Sequence, residues 1–93
     1  MSVLVIGGDN LGNIENNLKE KGFNRITHIT GRRSREQTYK VPKDTDVVLI
    51  LTDYVNHQTS KNVKKQVKNS KSKVIFSKRS WASISKSLKS FIR

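Results

Sequence analysis

The sequence predicts a small α/β domain, Rossmann-like or flavodoxin-like, with three layers built around a mainly parallel four-stranded sheet. Three observations carry this. The runs Val3–Ile6 and Val47–Leu51 are apolar without alternation and too short for helices, as strands covered on both faces are. Between and after them, apolar residues recur at helical spacing: Leu11, Ile14 and Leu18, then Val63 and Val67, then Trp81, Ile84 and Leu88. The first run ends in Gly7-Gly8-Asp9-Asn10, a turn whose glycines permit backbone angles forbidden to other residues. Strands alternating with helices give a parallel sheet with helices on both faces, here with the first and third strands central. Right-handed crossovers then gather every strand's carboxyl end on one edge.

Taken in order, the first strand leads into a helix carrying Leu11, Ile14 and Leu18, capped by Asp9 or Asn10 and stopped at Gly22. Phe23 to Ile29 alternates as a second strand near an edge. A long basic connection follows at about 31–45, with three arginines, Arg32, Arg33 and Arg35, beside Gly31. Pro42 bars its neighbourhood from a central strand, leaving Gln37–Val41 at most a short edge strand. Asp46–Thr52 is the clearest strand, and Asp53–His57 its exit turn. A helix spans about 56–69, Lys73–Ser77 forms a fourth strand, and Ser80 caps a last helix with the stripe Trp81, Ile84, Leu88, Phe91 and Ile92. Trp81 reads as a largely buried core anchor rather than a base-stacking platform. No linker or repeat divides residues 1–93, which read as one domain.

The composition bounds the function. There is no cysteine, hence no disulfide, thiol nucleophile or zinc ribbon. The longest apolar run falls far short of a membrane span, and no basic leader precedes the first strand, so the sequence predicts a cytoplasmic protein with no membrane partner. The net charge is +12, and its distribution is uneven. Residues 1–53 hold eight Lys/Arg and all seven acids, a balance of +1; residues 54–93 hold eleven Lys/Arg and no acid, a balance of +11. A chain half so one-sided in charge suits a polyanionic partner. On the helix at 56–69, Lys61, Lys64, Lys65 and Lys68 occupy the outer faces.

Four turns are expected to meet at the carboxyl edge: Gly7–Asn10, Thr30–Arg33, Thr52–His57 and Ser77–Ser80. Open α/β sheets bind ligands there, often with an anion at a helix N-terminus. Gly7 and Gly12 match the outer spacing of a phosphate loop, but Asn13 and Ile14 stand where Lys and Ser/Thr are needed. The dinucleotide fingerprint also fails, at Asp9.

The chain resembles the bacterial domain of unknown function 2325 family. The carrying residues are Val3–Asp9, the strand and exit Asp46–His57, and the stretch from Lys64 to Ser80 with its last strand. Val55-Asn56-His57 is the most specific piece, with Asn56 where members tend to have a small hydroxyl residue. His28 stands near a His-His-Asp-like position, followed instead by Ile29-Thr30-Gly31. The resemblance implies a small Rossmann-like domain and no settled activity.

Two functions follow from these residues. The first is a non-enzymatic, charge- and shape-driven nucleic-acid-binding accessory protein, contacting DNA or RNA through Arg32, Arg33, Arg35, Lys61, Lys64, Lys65, Lys68, Lys78 and Arg79. The second is a binder or sensor of a nucleotide or other phosphate-bearing ligand at the carboxyl edge, through Gly8, Asp9, Asn10, Asn56 and His57. An acidic protein partner would share the charge logic, and self-association is left open. His28 and His57 are the only imidazoles, too few at recognisable spacing for a metal, and no nucleophile elbow is present. No cofactor, metal or catalytic residue is predicted.

Overall fold

The computed structural model describes residues 1–31, 33, 38–53, 55–68 and 70–91. Strands β1 (Ser2–Ile6), β2 (Arg25–Ile29), β3 (Val47–Leu51) and β4 (Lys73–Ser77) alternate with helices α1 (Asn13–Glu20), α2 (His57–Val67) and α3 (Trp81–Lys89) after β1 and β2. The sheet order is β2-β1-β3-β4, and every pairing is parallel. The apolar runs β1 and β3 therefore hold the centre, as their lack of alternation requires. Strand direction of travel reverses between β1 and β3, and this switch point opens the crevice where such sheets take ligands.

The two-residue period of the strands sorts the core into two layers. Val3, Val5, Val47, Leu49 and Leu51 face α1 and α3 through Leu11, Ile14, Leu18, Ile84 and Leu88. Leu4, Ile6, Val48 and Ile50 face α2 through Val63 and Val67. Burying any one of these side chains contributes about 1.5–3 kcal/mol. Asn56 caps α2, its Oδ1 accepting from Gln58 N at 2.7 Å. Ser80 caps α3 as expected, its Oγ accepting from Ser83 N at 3.2 Å.

Several local expectations are corrected. Neither Asp9 nor Asn10 caps α1: Gly12 stands at the cap without a side-chain bond. Leu11 is buried ahead of the helix, its carbonyl accepting from Ile14 N at 3.0 Å. The other end closes as expected at Gly22, with Phe23 N donating to Leu18 O and Gly22 N to Lys19 O. That paired closure puts Phe23, fully buried, against the core beside Leu18 and outside β2. Within β2, Ile26, Thr27 and His28 are all half-buried rather than alternating, because an edge strand in a covered sheet is partly shielded on both faces. Tyr39–Val41 forms no strand, since α2 side chains rather than a neighbouring strand hold its main chain; Gln37 lies outside the described residues. Trp81 is half-buried rather than largely buried, because it opens α3 at the rim of the core.

Candidate nucleic-acid interface

Helix α2 forms because its buried positions recur at helical spacing. Thr59, Ser60, Val63 and Val67 are its buried residues. At about 100° per residue, Lys61, Lys64, Lys65 and Lys68 fall within an arc of roughly 100° on another side. All four are exposed. They form four like-charge pairs three or four residues apart. Each such pair destabilises an isolated helix by about 0.2–0.5 kcal/mol. The stripe therefore weakens the helix that carries it, and no acid stands anywhere after Asp53 to offset it.

The basic loop lies alongside this helix. Gln66 Nε2 and Asn62 Nδ2 both donate to the Tyr39 carbonyl, the latter at 3.1 Å. Gln66 Oε1 accepts from Val41 N at 2.8 Å. Packing against the same side of the core, Tyr39 is buried enough to push its phenol above the ordinary value. A groove lies on each flank of this clipped segment. One, of about 530 Å³, is lined by Thr38, Gln58, Lys61, Asn62, Lys64 and Lys65. The other, of about 600 Å³, has Lys40, Lys43, Gln66 and Val67 among its walls.

Edge strand β4 adds an aromatic ring. Phe76 shares the α2 face with Val74 by strand parity, yet it is 47% exposed. The Lys64 ammonium sits 5.4 Å from the centre of its ring. Such an exposed cation–π contact is worth about 0.5–1 kcal/mol.

At the carboxyl edge the expected turns do meet. Gly7 N donates to Ile29 O at 2.9 Å, Asn56 N to Gly31 O at 2.6 Å, and Thr52 N to Ser77 O at 2.9 Å. Gly7 has φ +125°, and a Cβ there would lie 2.9 Å from Leu51 Cβ, so only glycine fits the switch point. Arg79 reaches across from the turn before α3. Its guanidinium donates to Asn10 O at 2.6 Å, and its Nε would lie 3.2 Å from a Cβ on Gly8. Arg79 thus ties the α1 and α3 turns together, away from the lysine stripe. A hollow of about 330 Å³ beside Gly12 is lined by Asp9, Asn10, Leu11, Glu15 and His28 as well. Two carboxylates there oppose a phosphate, whatever the helix N-terminus offers. The His28 Nε2–H donates to Gly7 O at 2.9 Å.

The remaining expected contact residues distribute as follows. Lys78 and Arg33 are exposed, and His57 is exposed at the first position of α2. Arg32 and Arg35 lie outside the described residues. Asn56 is occupied as a cap. Among the described residues, no three His, Cys, Asp or Glu side chains are placed to share a metal ion. No described helix is long and apolar enough to cross a membrane.

Lys40, Lys43, Gln66 and Phe76 were not legible as site residues. Alternation along β4 could have put Phe76 on the same face as Val74, but only the sheet order shows that this face is left partly uncovered. Nothing local in the sequence marks Gln66 as the clip.

The family model described as "uncharacterized protein conserved in bacteria" (DUF2325) matches residues 2–91, and the chain belongs to that family. No curated protein and no solved structure matches it.

Proposed function

We propose that this family member is a small nucleic-acid-binding accessory protein that grips the phosphate backbone along α2 with little sequence readout. The observation that carries the reading is the exposed stripe Lys61, Lys64, Lys65 and Lys68, set in a chain half without a carboxylate. The stripe does nothing for the fold. It abuts a groove whose other walls, Thr38, Gln58 and Asn62, are polar and uncharged. Phosphate contacts position a protein on its partner without reading bases, which suits a helix offering only lysines.

The carboxyl-edge ligand reading has less support. There Arg79 is engaged with Asn10, Asn56 is spent on α2, and Asp9 and Glu15 supply the wrong sign for a phosphate.

Salt dependence tests the proposal. Each lysine–phosphate contact releases condensed counterions, so log affinity should fall linearly with log salt. Four contacts give a slope of about −3.6 on duplex or about −2.8 on a single strand. Changing Lys64, Lys65 and Lys68 together to Gln should flatten that slope by about two to three units and weaken all sequences alike. Glutamine is nearly as good a helix former, and Val63 and Val67 still anchor the helix. An unchanged slope in the triple variant would sink the reading, and loss of binding on changing Arg79 alone would favour the edge ligand.

A further inference from the structure

We infer that the lysine stripe serves single-stranded rather than duplex nucleic acid, and that Phe76 is the surface on which an unpaired base stacks. This rests on the proposed nucleic-acid reading and adds the class of strand.

Among the described residues, the large apolar side chains left exposed are Met1, at 42%, and Phe76, at 47%. One exposed apolar side chain is ordinary. Phe76 differs in its setting. It sits on a rigid strand, β4, that forms one border of the sheet, so nothing follows it outward in the strand order. Its register partner Ile50 is wholly buried, which fixes the backbone beneath it. Beside the ring stands Lys64, itself a member of the phosphate-facing stripe, with its ammonium 5.4 Å from the ring centre.

A nucleotide joins a flat apolar base to an anionic phosphate through a sugar. The Lys64–Phe76 pair offers a partner to each part. A charged track with an aromatic ring beside it is the combination by which proteins hold single strands without sequence preference, since every base has a π-face. In a duplex the bases are already stacked on one another and paired, so an exposed ring gains nothing from it. The lysines alone would serve either form, and it is Phe76 that discriminates. Trp81 is not the platform, because it packs against the core on the opposite side of the sheet, with α3.

An acidic polypeptide could meet the same charges. It carries no large planar faces, so it would use the lysines and leave the ring idle. That difference enters the test.

The experiment measures affinity by fluorescence anisotropy for a labelled oligothymidylate, an oligouridylate, a duplex of equal length and polyglutamate. The wild type is compared with Phe76→Ala, Phe76→Leu and Phe76→Tyr, each checked for folding by circular dichroism. Loss of one stacked base should weaken single-strand binding by roughly 5- to 150-fold. Phe76→Ala and Phe76→Leu should both show this loss, Phe76→Tyr should not, and the duplex should change less than about twofold. The salt slope should stay as in the wild type, because no phosphate contact is removed. The two single-stranded probes decide whether the strand is RNA, DNA or either, and all three results agree with the inference.

Equal weakening on duplex and single strand would overturn it, showing that Phe76 only places Lys64. So would full affinity in Phe76→Leu, which keeps bulk and loses the ring. Unchanged single-strand binding in Phe76→Ala with a lysine-dependent salt slope would overturn stacking and leave the nucleic-acid reading standing. Binding of polyglutamate alone would overturn both.

Discussion

Replacing Gly7 by alanine should be among the most damaging single-methyl changes available to this domain. Two costs add. A residue with a Cβ is strained at φ +125°, at about 1–3 kcal/mol. The new methyl would also lie 2.9 Å from Leu51 Cβ and 3.0 Å from the Leu51 carbonyl oxygen, atoms fixed in a central strand. Forcing a methyl into such packing costs about 1–3 kcal/mol more. The sum, about 2–6 kcal/mol, is a large part of the roughly 5–14 kcal/mol expected of a domain this size. Even its low end lowers Tm by about 10 °C. Gly22→Ala isolates the first cost, because Gly22 has φ +102° with only the flexible Met1 Cε nearby, at 3.8 Å. Urea unfolding followed by circular dichroism and Trp81 fluorescence compares the two. If Gly7→Ala is no worse than Gly22→Ala, then contact with Leu51 does not set the switch point and the packing argument fails.

Further outcomes follow from other sites. The variant Lys64→Gln, Lys65→Gln, Lys68→Gln should unfold at a higher temperature than the parent at low salt, because it removes four like-charge pairs worth about 1–2 kcal/mol together; a lower Tm would mean that the lysines support the fold. Thr59→Val should stabilise by about 1 kcal/mol in denaturant titration, since the Thr59 hydroxyl is fully buried and has no partner among the described residues. Asn56→Ala should cost about 0.5–2 kcal/mol through the lost α2 cap, read as a shift of the unfolding midpoint. Burial raises the Tyr39 phenol, so Tyr39 releases its proton less readily folded than unfolded. The stability tied to that proton is intact below pH 10 and is lost as pH climbs from 10 through the folded-state value. In a Tyr54→Phe background, phenolate absorbance should therefore appear at higher pH in the folded chain than in urea; coincident midpoints would refute it.

The sheet was legible because its centre is spelled in residues that tolerate no water. Val3–Ile6 and Val47–Leu51 leave no polar face, and a strand with no polar face must be central. Helix ends were legible where one residue does the work, as Gly22 and Ser80 do. They were illegible where the tertiary structure chose. Asp9 and Asn10 look like caps, yet burial of Leu11 pulls the chain inward and delays the helix to Asn13. The α2 lysines could be found from spacing alone, because exposed charge and helical period are both local. Phe76 and the Tyr39–Val41 segment could not, since their roles depend on which strand ends the sheet and on an amide some twenty-five residues away.

The clip made by Gln66 has a consequence for how freely the loop can change. Its amide grips the carbonyl of Tyr39 and the N–H of Val41, atoms that every residue but one supplies equally. The hook is indifferent to spelling. Side chains along 39–41 can be exchanged to reshape the walls of either groove while the latch on the binding helix holds. Proline at position 41 is the exception, for it alone lacks the hydrogen that Gln66 accepts, and the proline of this loop stands one residue further on, at Pro42.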